Sequence, residues 1–196
     1  MHPRSKPDYY AIKAQKEKYR ARSAYKLKEA IEQFGLVRKG NRVLDLGSAP
    51  GSWLQVAAVE VGGKGRVVGV DIRSVPPPLP QQVLSIVGDI LSPETATRIR
   101  ETESQFDLVL SDLAPSTSGV KDVDAERSLE LITGAWNLAR VLLVPGGNFM
   151  GKVFEGPGVQ SFRKELSSHF KTVRVFKPRS SRKESREVYL VGLHRK

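Results

Sequence analysis

The chain has 196 residues, 39% of them hydrophobic and 27% charged, with a formal net charge of +11 and an isoelectric point near 10.0. That length fits one domain of roughly 150–200 residues, read here as 1–196, and no apolar run approaches the ~20 residues of a membrane span. Cysteine is absent, which excludes disulfides, thiolate metal sites and a cysteine nucleophile, and His2, His169 and His194 are too few and scattered to mark a metal centre.

Met1 to Arg22 is polar and basic, lacks the apolar segment of a signal peptide, and reads as an N-terminal extension; the cytoplasm is the expected location. Ser23 to Phe34 follows as an amphipathic helix. Ser23 can cap it, Ala24, Leu27, Ala30, Ile31 and Phe34 share a face, and Gly35 stops it. Arg42–Leu46 is a strand, Ser52–Val61 a helix and Gly62–Gly65 a turn. Val67–Asp71 and Val83–Val87 are strands separated by the loop at Pro76–Pro78. Glu94–Glu103 is a helix and Phe106–Ser111 a strand. Val123–Leu143 is a long helix stopped at Pro145-Gly146-Gly147, and Asn148–Phe154 is the next strand. Val159–Phe170 is a helix, and Lys171–Phe176 and Val188–His194 are the last strands. Strands alternating with helices imply an α/β chain, with a mostly parallel sheet and helices on both faces. The last two strands have no helix between them, so they are expected to pair antiparallel at one edge.

The charge is segregated. Residues 1–28 carry nine Lys/Arg against two acids and 171–187 carry seven against two, whereas 29–170 hold fourteen against seventeen. Two solvated basic tails would satisfy these counts. Tyr9, Tyr10, Tyr19 and Tyr25, however, interleave the first run. Cations for phosphates plus rings for bases are what single-stranded nucleic acid binding requires. Arg20 and Arg22 in the first run, and Lys177, Arg179 and Arg182 in the second, are the candidate RNA contacts.

Val43-Leu44-Asp45-Leu46-Gly47-Ser48-Ala49-Pro50-Gly51-Ser52-Trp53 runs from an apolar strand through an acid and a glycine loop into a helix. Glycine lets the backbone turn sharply and approach a ligand. The spacing Gly47-x-x-x-Gly51 differs from the Gly-x-Gly-x-x-Gly of pyrophosphate binding and points to another nucleoside cofactor. Four strands end in or beside an acid: Asp45, Asp71, Asp89 and Asp112. Each alone could cap a helix; together at one sheet edge they suit a ligand rich in donors. Asp71, about twenty residues past the loop, suits a ribose diol. Asp89 could accept from an adenine amino group, and Asp112 could face a sulfonium and an ammonium. Gly47, Ser48, Pro50, Gly51 and Trp53 complete the candidate cofactor set, with Trp53 fitting either the core or the cradle's rim.

The glycine loop with Pro50-Gly51-x-Trp53, the turn Ser111-Asp112-Leu113-Ala114-Pro115, the segment Gly151-Lys152-Val153-Phe154 and the stretch Ser181-Arg182-Lys183-Glu184-Ser185-Arg186-Glu187-Val188-Tyr189 resemble FtsJ-type ribose 2′-O-methyltransferases. The likeness runs from about Lys13 to the C-terminus and is nearest to members acting on a uridine of large-subunit ribosomal RNA. It implies a Rossmann-like fold with a seven-stranded sheet, S-adenosyl-L-methionine as cofactor, RNA as substrate and no metal. It also implies that Lys26, Asp112, Lys152 and Glu187 form a catalytic tetrad beside the sulfonium methyl. Ser52 departs from the pattern, since relatives often carry a second glycine there.

The tetrad is chemically sensible. A ribose hydroxyl is a poor nucleophile until its proton is removed, and no histidine is placed to take it. Lys152 could do so if burial and the nearby Lys26 cation lower its pKa, with Asp112 and Glu187 orienting it. In isolation, Lys152 would read as a strand-edge surface lysine, Lys26 as a solvated helix position, and Glu187 as a partner of Arg186 or Arg182. Among rivals, amino methylation lacks an aromatic after Pro115, where Ser116 stands, and cysteine-dependent C5 methylation has no cysteine. A nicotinamide oxidoreductase would want the other glycine spacing. Transfer RNA as the substrate of the same chemistry, and a non-catalytic RNA-binding assembly factor, remain as alternatives.

Overall fold

The computed structural model describes residues 8–182 and 184–196. Its elements in chain order are α1 (Tyr9–Lys16), α2 (Ala24–Phe34), β1 (Arg42–Leu46), α3 (Ser52–Val61), β2 (Arg66–Asp71), β3 (Val83–Val87), α4 (Pro93–Thr102), β4 (Phe106–Ser111), α5 (Lys121–Leu142), β5 (Leu143–Phe154), α6 (Val159–His169), β6 (Phe170–Phe176) and β7 (Glu187–Arg195). The seven strands form one sheet in the order β3-β2-β1-β4-β5-β7-β6. β1 to β5 pair in parallel, and β7 runs antiparallel between β5 and β6. The two helix-free strands thus make the expected antiparallel pair at one end, with β6 outermost.

Period-two alternation sends the strand side chains to two cores. Leu44, Leu46, Val68, Val70, Val109 and Phe149 pack on Ile99 of α4, Trp136 of α5 and Leu166 of α6. Val43, Val67, Leu108, Leu110, Met150 and Tyr189 pack on Leu27 of α2 and Leu54 of α3. The chain runs outward through β1, α3, β2 and β3, then returns to lay β4 beside β1. That reversal creates the crevice at the carboxyl ends of β1 and β4 where such sheets bind ligands.

Three local readings change. The basic extension contains α1, a helix too short to persist alone. It is capped by the Asp8 carboxylate, which accepts the Ala11 amide, and is packed through buried Ala14. The tyrosines are joined to one another. Tyr9–Tyr10, Tyr10–Tyr25 and Tyr19–Tyr25 centroids lie 5.3, 5.4 and 5.8 Å apart, with Tyr25 only 4% exposed and Tyr9 67% exposed. Ser23 does not cap α2: its backbone is already helical and its hydroxyl meets Ser52 Oγ at 2.8 Å. Finally, β5 begins at Leu143, because the Pro145–Gly147 segment passes as a register shift against β4 rather than as a loop.

Candidate active site

At the crevice, Leu46 and Ser111 are in register. The chain leaves β1 at Gly47 (φ 83°), where the Gly47 and Ser48 amides both donate to the Val70 carbonyl of β2, at 2.8 and 3.1 Å. A Cβ on Gly47 would lie 3.0 Å from the Leu113 amide nitrogen, so the loops after β1 and β4 approach within a distance that requires glycine. Gly51 (φ 105°) then leads into α3, and a Cβ there would press on Val75. Asp71, at the end of β2, fastens the loop by accepting the Ala49 and Arg73 amides, each at 2.9 Å.

Gly47, Ala49, Asp71, Ile72, Asp112 and Leu113 are among the residues lining a cavity of about 480 Å³. Ile72, which was not singled out in the sequence, is 71% exposed and offers it an apolar surface. Two residues before Gly47, Asp45 is fully buried, and neither of its oxygens has a hydrogen-bond partner among the described residues; Ser48 Oγ is in the same state. Burial pushes the Asp45 carboxyl well above the usual range, and the charges of Asp112 and Asp71 add to this. A glycine cradle beside an orphaned acid and hydroxyl fits a ligand that is cationic and rich in donors. The residues therefore fit S-adenosyl-L-methionine, with Asp71 suited to hydroxyls and Ile72 to a ring face.

Other predicted cofactor residues fall differently. Asp89 stands exposed past the end of β3, accepts the Leu91 amide at 2.9 Å, and is outside the residues lining the cavity. Pro50 is exposed, and its carbonyl accepts from Arg20 at 3.0 Å. Trp53 is core, not rim: it is 2% exposed, donates its indole N–H to the Ser23 carbonyl at 2.8 Å, and lies 5.9 Å from the Tyr189 ring. Ser52, the departure from the glycine pattern, is buried and ties α3 to the start of α2 through Ser23.

The tetrad residues converge through strand register. Lys152 of β5 opposes Tyr189 of β7, and Glu187 lies two residues along on the same face. Asp112 follows Ser111, which pairs with Gly151 of β5, so it arrives beside Lys152. Lys152 is 7% exposed; its Nζ donates to the Asp112 carbonyl at 2.7 Å and lies 3.0 Å from Asp112 Oδ1. Tyr189 donates its hydroxyl to the same Oδ1 at 2.8 Å. Burial, followed by the Asp112 and Glu187 charges, raises the Tyr189 phenol well above its ordinary value, so it stays a neutral donor. Glu187 pairs with Lys26 of α2 and accepts from Ser181 Oγ at 2.7 Å. Burial alone would raise its carboxyl; Lys26, Ser181 and the Lys152 charge outweigh burial and hold it below the usual range. The direct ion-pair partner of Glu187 is therefore Lys26, while Lys152 is held by Asp112 and reaches Glu187 through its charge. Tyr189 and Ser181 were missed, although the alternation Glu187-x-Tyr189 was the available signal.

Lys26 and Glu187 also line a second cavity, of about 380 Å³, together with Arg22, Arg182, Glu184 and Ser185. Of the candidate RNA contacts, Arg22 and Arg182 thus join the site. Arg20 instead braces the cradle, reaching the Pro50 and Pro78 carbonyls at 3.0 and 2.7 Å. Lys177 donates to the Ser185 carbonyl at 2.9 Å, and exposed Arg179 is anchored by its amide on Glu29. No helix among the described residues is long and apolar enough to cross a membrane.

Comparison with known proteins agrees with this geometry. The family model FtsJ-like methyltransferase matches residues 19–195. The chain is 45% identical over 186 residues to "Ribosomal RNA large subunit methyltransferase E" of Syntrophobacter fumaroxidans, covering 95% of this chain and 94% of that one. It is 46% identical over 189 residues to the protein of the same name in Archaeoglobus fulgidus, covering 96% of each. A Plasmodium falciparum crystal structure described as a ribosomal RNA methyltransferase superposes with a TM-score of 0.79 at 28% identity, over 90% of this chain and 98% of that one. With the match spanning cradle, tetrad and sheet alike, the chain belongs to the FtsJ-like methyltransferase family.

Proposed function

We propose that this protein methylates the ribose 2′-hydroxyl of a uridine in large-subunit ribosomal RNA, using S-adenosyl-L-methionine. One observation carries the reading. Asp112 lines the cradle-side cavity, Lys26 and Glu187 line the basic one, and Lys152 is bonded to Asp112 and senses Glu187. The four residues join a donor space to an acceptor space. The names of the relatives support ribosomal RNA as the acceptor, and the proposed domain spans the whole chain.

When bound, the cofactor supplies an already activated methyl on a sulfonium. The chain supplies alignment and proton removal. Gly47, Ser48, Gly51 and Asp71 would hold the nucleoside end of the cofactor, and Asp45 and Asp112 would face its ammonium. Lys152 accepts the 2′-hydroxyl proton at Nζ, and the Asp112 oxygens hold the protonated side chain. Lys26 and Glu187 position the ribose, and Tyr189 keeps Asp112 turned toward Lys152. Most of the remaining acceleration is geometric, since oxygen, methyl and sulfur must lie in line.

Nuclease digestion of RNA methylated with a labelled donor tests this reading. The label is expected on the ribose of a dinucleotide that resists alkaline cleavage; label on a base overturns the assignment.

A further inference from the structure

Two arginines of the basic cavity share an acid that takes no part in the proposed chemistry, Asp8. Arg22, immediately before α2, is in ion-pair contact with Asp8, and its other guanidinium nitrogen donates to the Ser180 carbonyl. Arg182, on the loop before β7, approaches the same Asp8 oxygen at 3.7 Å. Both arginines line the cavity that holds Lys26 and Glu187. Two guanidiniums converging on one oxyanion is the arrangement that recognises a phosphate.

The frame holding these arginines does not depend on Asp8. The Glu29 carboxylate of α2 accepts the Arg179 and Ser180 amides at 2.7 and 3.0 Å, fixing the Ser180 carbonyl that anchors Arg22. If the Asp8 carboxylate left, Arg22 would keep that anchor with its charge toward the cavity. Asp8 also has a second task, the cap of α1, so its carboxylate can surrender the arginines and remain engaged.

We infer that Arg22 and Arg182 form a phosphate site for the RNA backbone next to the target ribose, and that Asp8 occupies this site as an internal stand-in until the phosphate displaces it. The inference rests on the RNA reading and adds a competitor to it. Asp8 holds the two guanidiniums together in the free protein, and it weakens RNA binding in proportion to its own hold. That hold is modest, because the pair is partly solvated, with side-chain exposures of 21% for Arg22 and 26% for Asp8. A weak stand-in favours release of product over tight storage of RNA.

Asp8→Asn separates the roles, since asparagine caps a helix as well as aspartate does but carries no charge. Binding of a short single-stranded oligouridylate to the full chain is measured by fluorescence anisotropy. Asp8→Asn is expected to bind about threefold tighter, an effect of the size of one exposed ion pair. The gain should vanish when Arg22→Gln and Arg182→Gln are added. Glu17→Gln removes the same charge from Lys13 and Lys28, outside the cavity, and should leave affinity unchanged. An equal gain from Glu17→Gln, or weaker binding by Asp8→Asn with normal folding by circular dichroism, overturns the inference. Asp8→Ser, another capping residue, should reproduce the asparagine result. If no variant nor the parent binds the oligonucleotide while all still bind S-adenosyl-L-methionine, the RNA reading falls and the phosphate site falls with it.

Discussion

The cradle after β1 and the basic cavity beside α2 are built in opposite ways. The cradle is largely backbone. Gly47 and Ser48 hang by their amides from Val70, Asp71 grips the Ala49 amide, and Gly51 turns into α3 under Val75. Most of its parts lie within a few residues of one another or at the end of the neighbouring strand. The basic cavity is lined by charged residues drawn from α2, the loop before it, the loop before β7 and the first residue of β7. Its partners pair as Lys26 with Glu187 and Arg22 with Asp8. A backbone cradle suits a cofactor that never varies. A cavity of paired charges suits a polymer that must be gripped and released.

The largest expected effect lies where the two regions meet. Lys152→Ala should slow single-turnover methyl transfer by about 10²–10⁴-fold, the usual contribution of a positioned base. S-adenosyl-L-methionine binding by calorimetry should stay within a few-fold of the parent. Near-normal transfer would detach the base from this lysine.

Next in size is a change confined to the cradle. Gly47→Ala places a Cβ 3.0 Å from Leu113 at φ 83°. The left-handed backbone alone costs roughly 1–2 kcal/mol, so cofactor affinity should fall about tenfold, with oligonucleotide affinity unchanged. Equal losses in both would mean that the two regions are not separable.

The smallest effect is on stability. The Glu187 carboxyl is held below its ordinary value, so its contribution is present at neutral pH and is lost as pH falls through the folded-state value. Thermal melts of the parent and Glu187→Gln should therefore differ at pH 7 and converge below about pH 4.3, the free glutamate value. A gap that persists in acid would mean that Glu187 acts through packing rather than through its charge with Lys26.

Much of the cradle was legible in the sequence because its determinants are local. Gly47 and Gly51 need positive φ, Asp71 ends a strand, and alternating strands and helices specify a mostly parallel sheet with helices on both faces. Gly35 ended α2 for the same kind of reason. The misreadings all involve contacts between distant segments. Trp53 looked equally at home on the rim because nothing nearby in the chain shows that its N–H meets the Ser23 carbonyl. The packing of Tyr10 and Tyr19 on Tyr25 was likewise hidden, because it joins the N-terminal segment to α2. That Glu187 pairs directly with Lys26 is visible only once β7 lies beside α2.

By itself, then, the sequence determined the fold class and the glycine cradle and, through its resemblance, pointed to the four proposed tetrad residues, because dihedral preference, period-two alternation and motif spacing are properties of short stretches. Which charges pair, which arginines line the basic cavity and which brace a turn were decided only by tertiary structure. An ion pair depends on distances of a few ångströms between side chains that here stand up to 174 positions apart, Asp8 and Arg182 among them, and only the packed sheet brings them together.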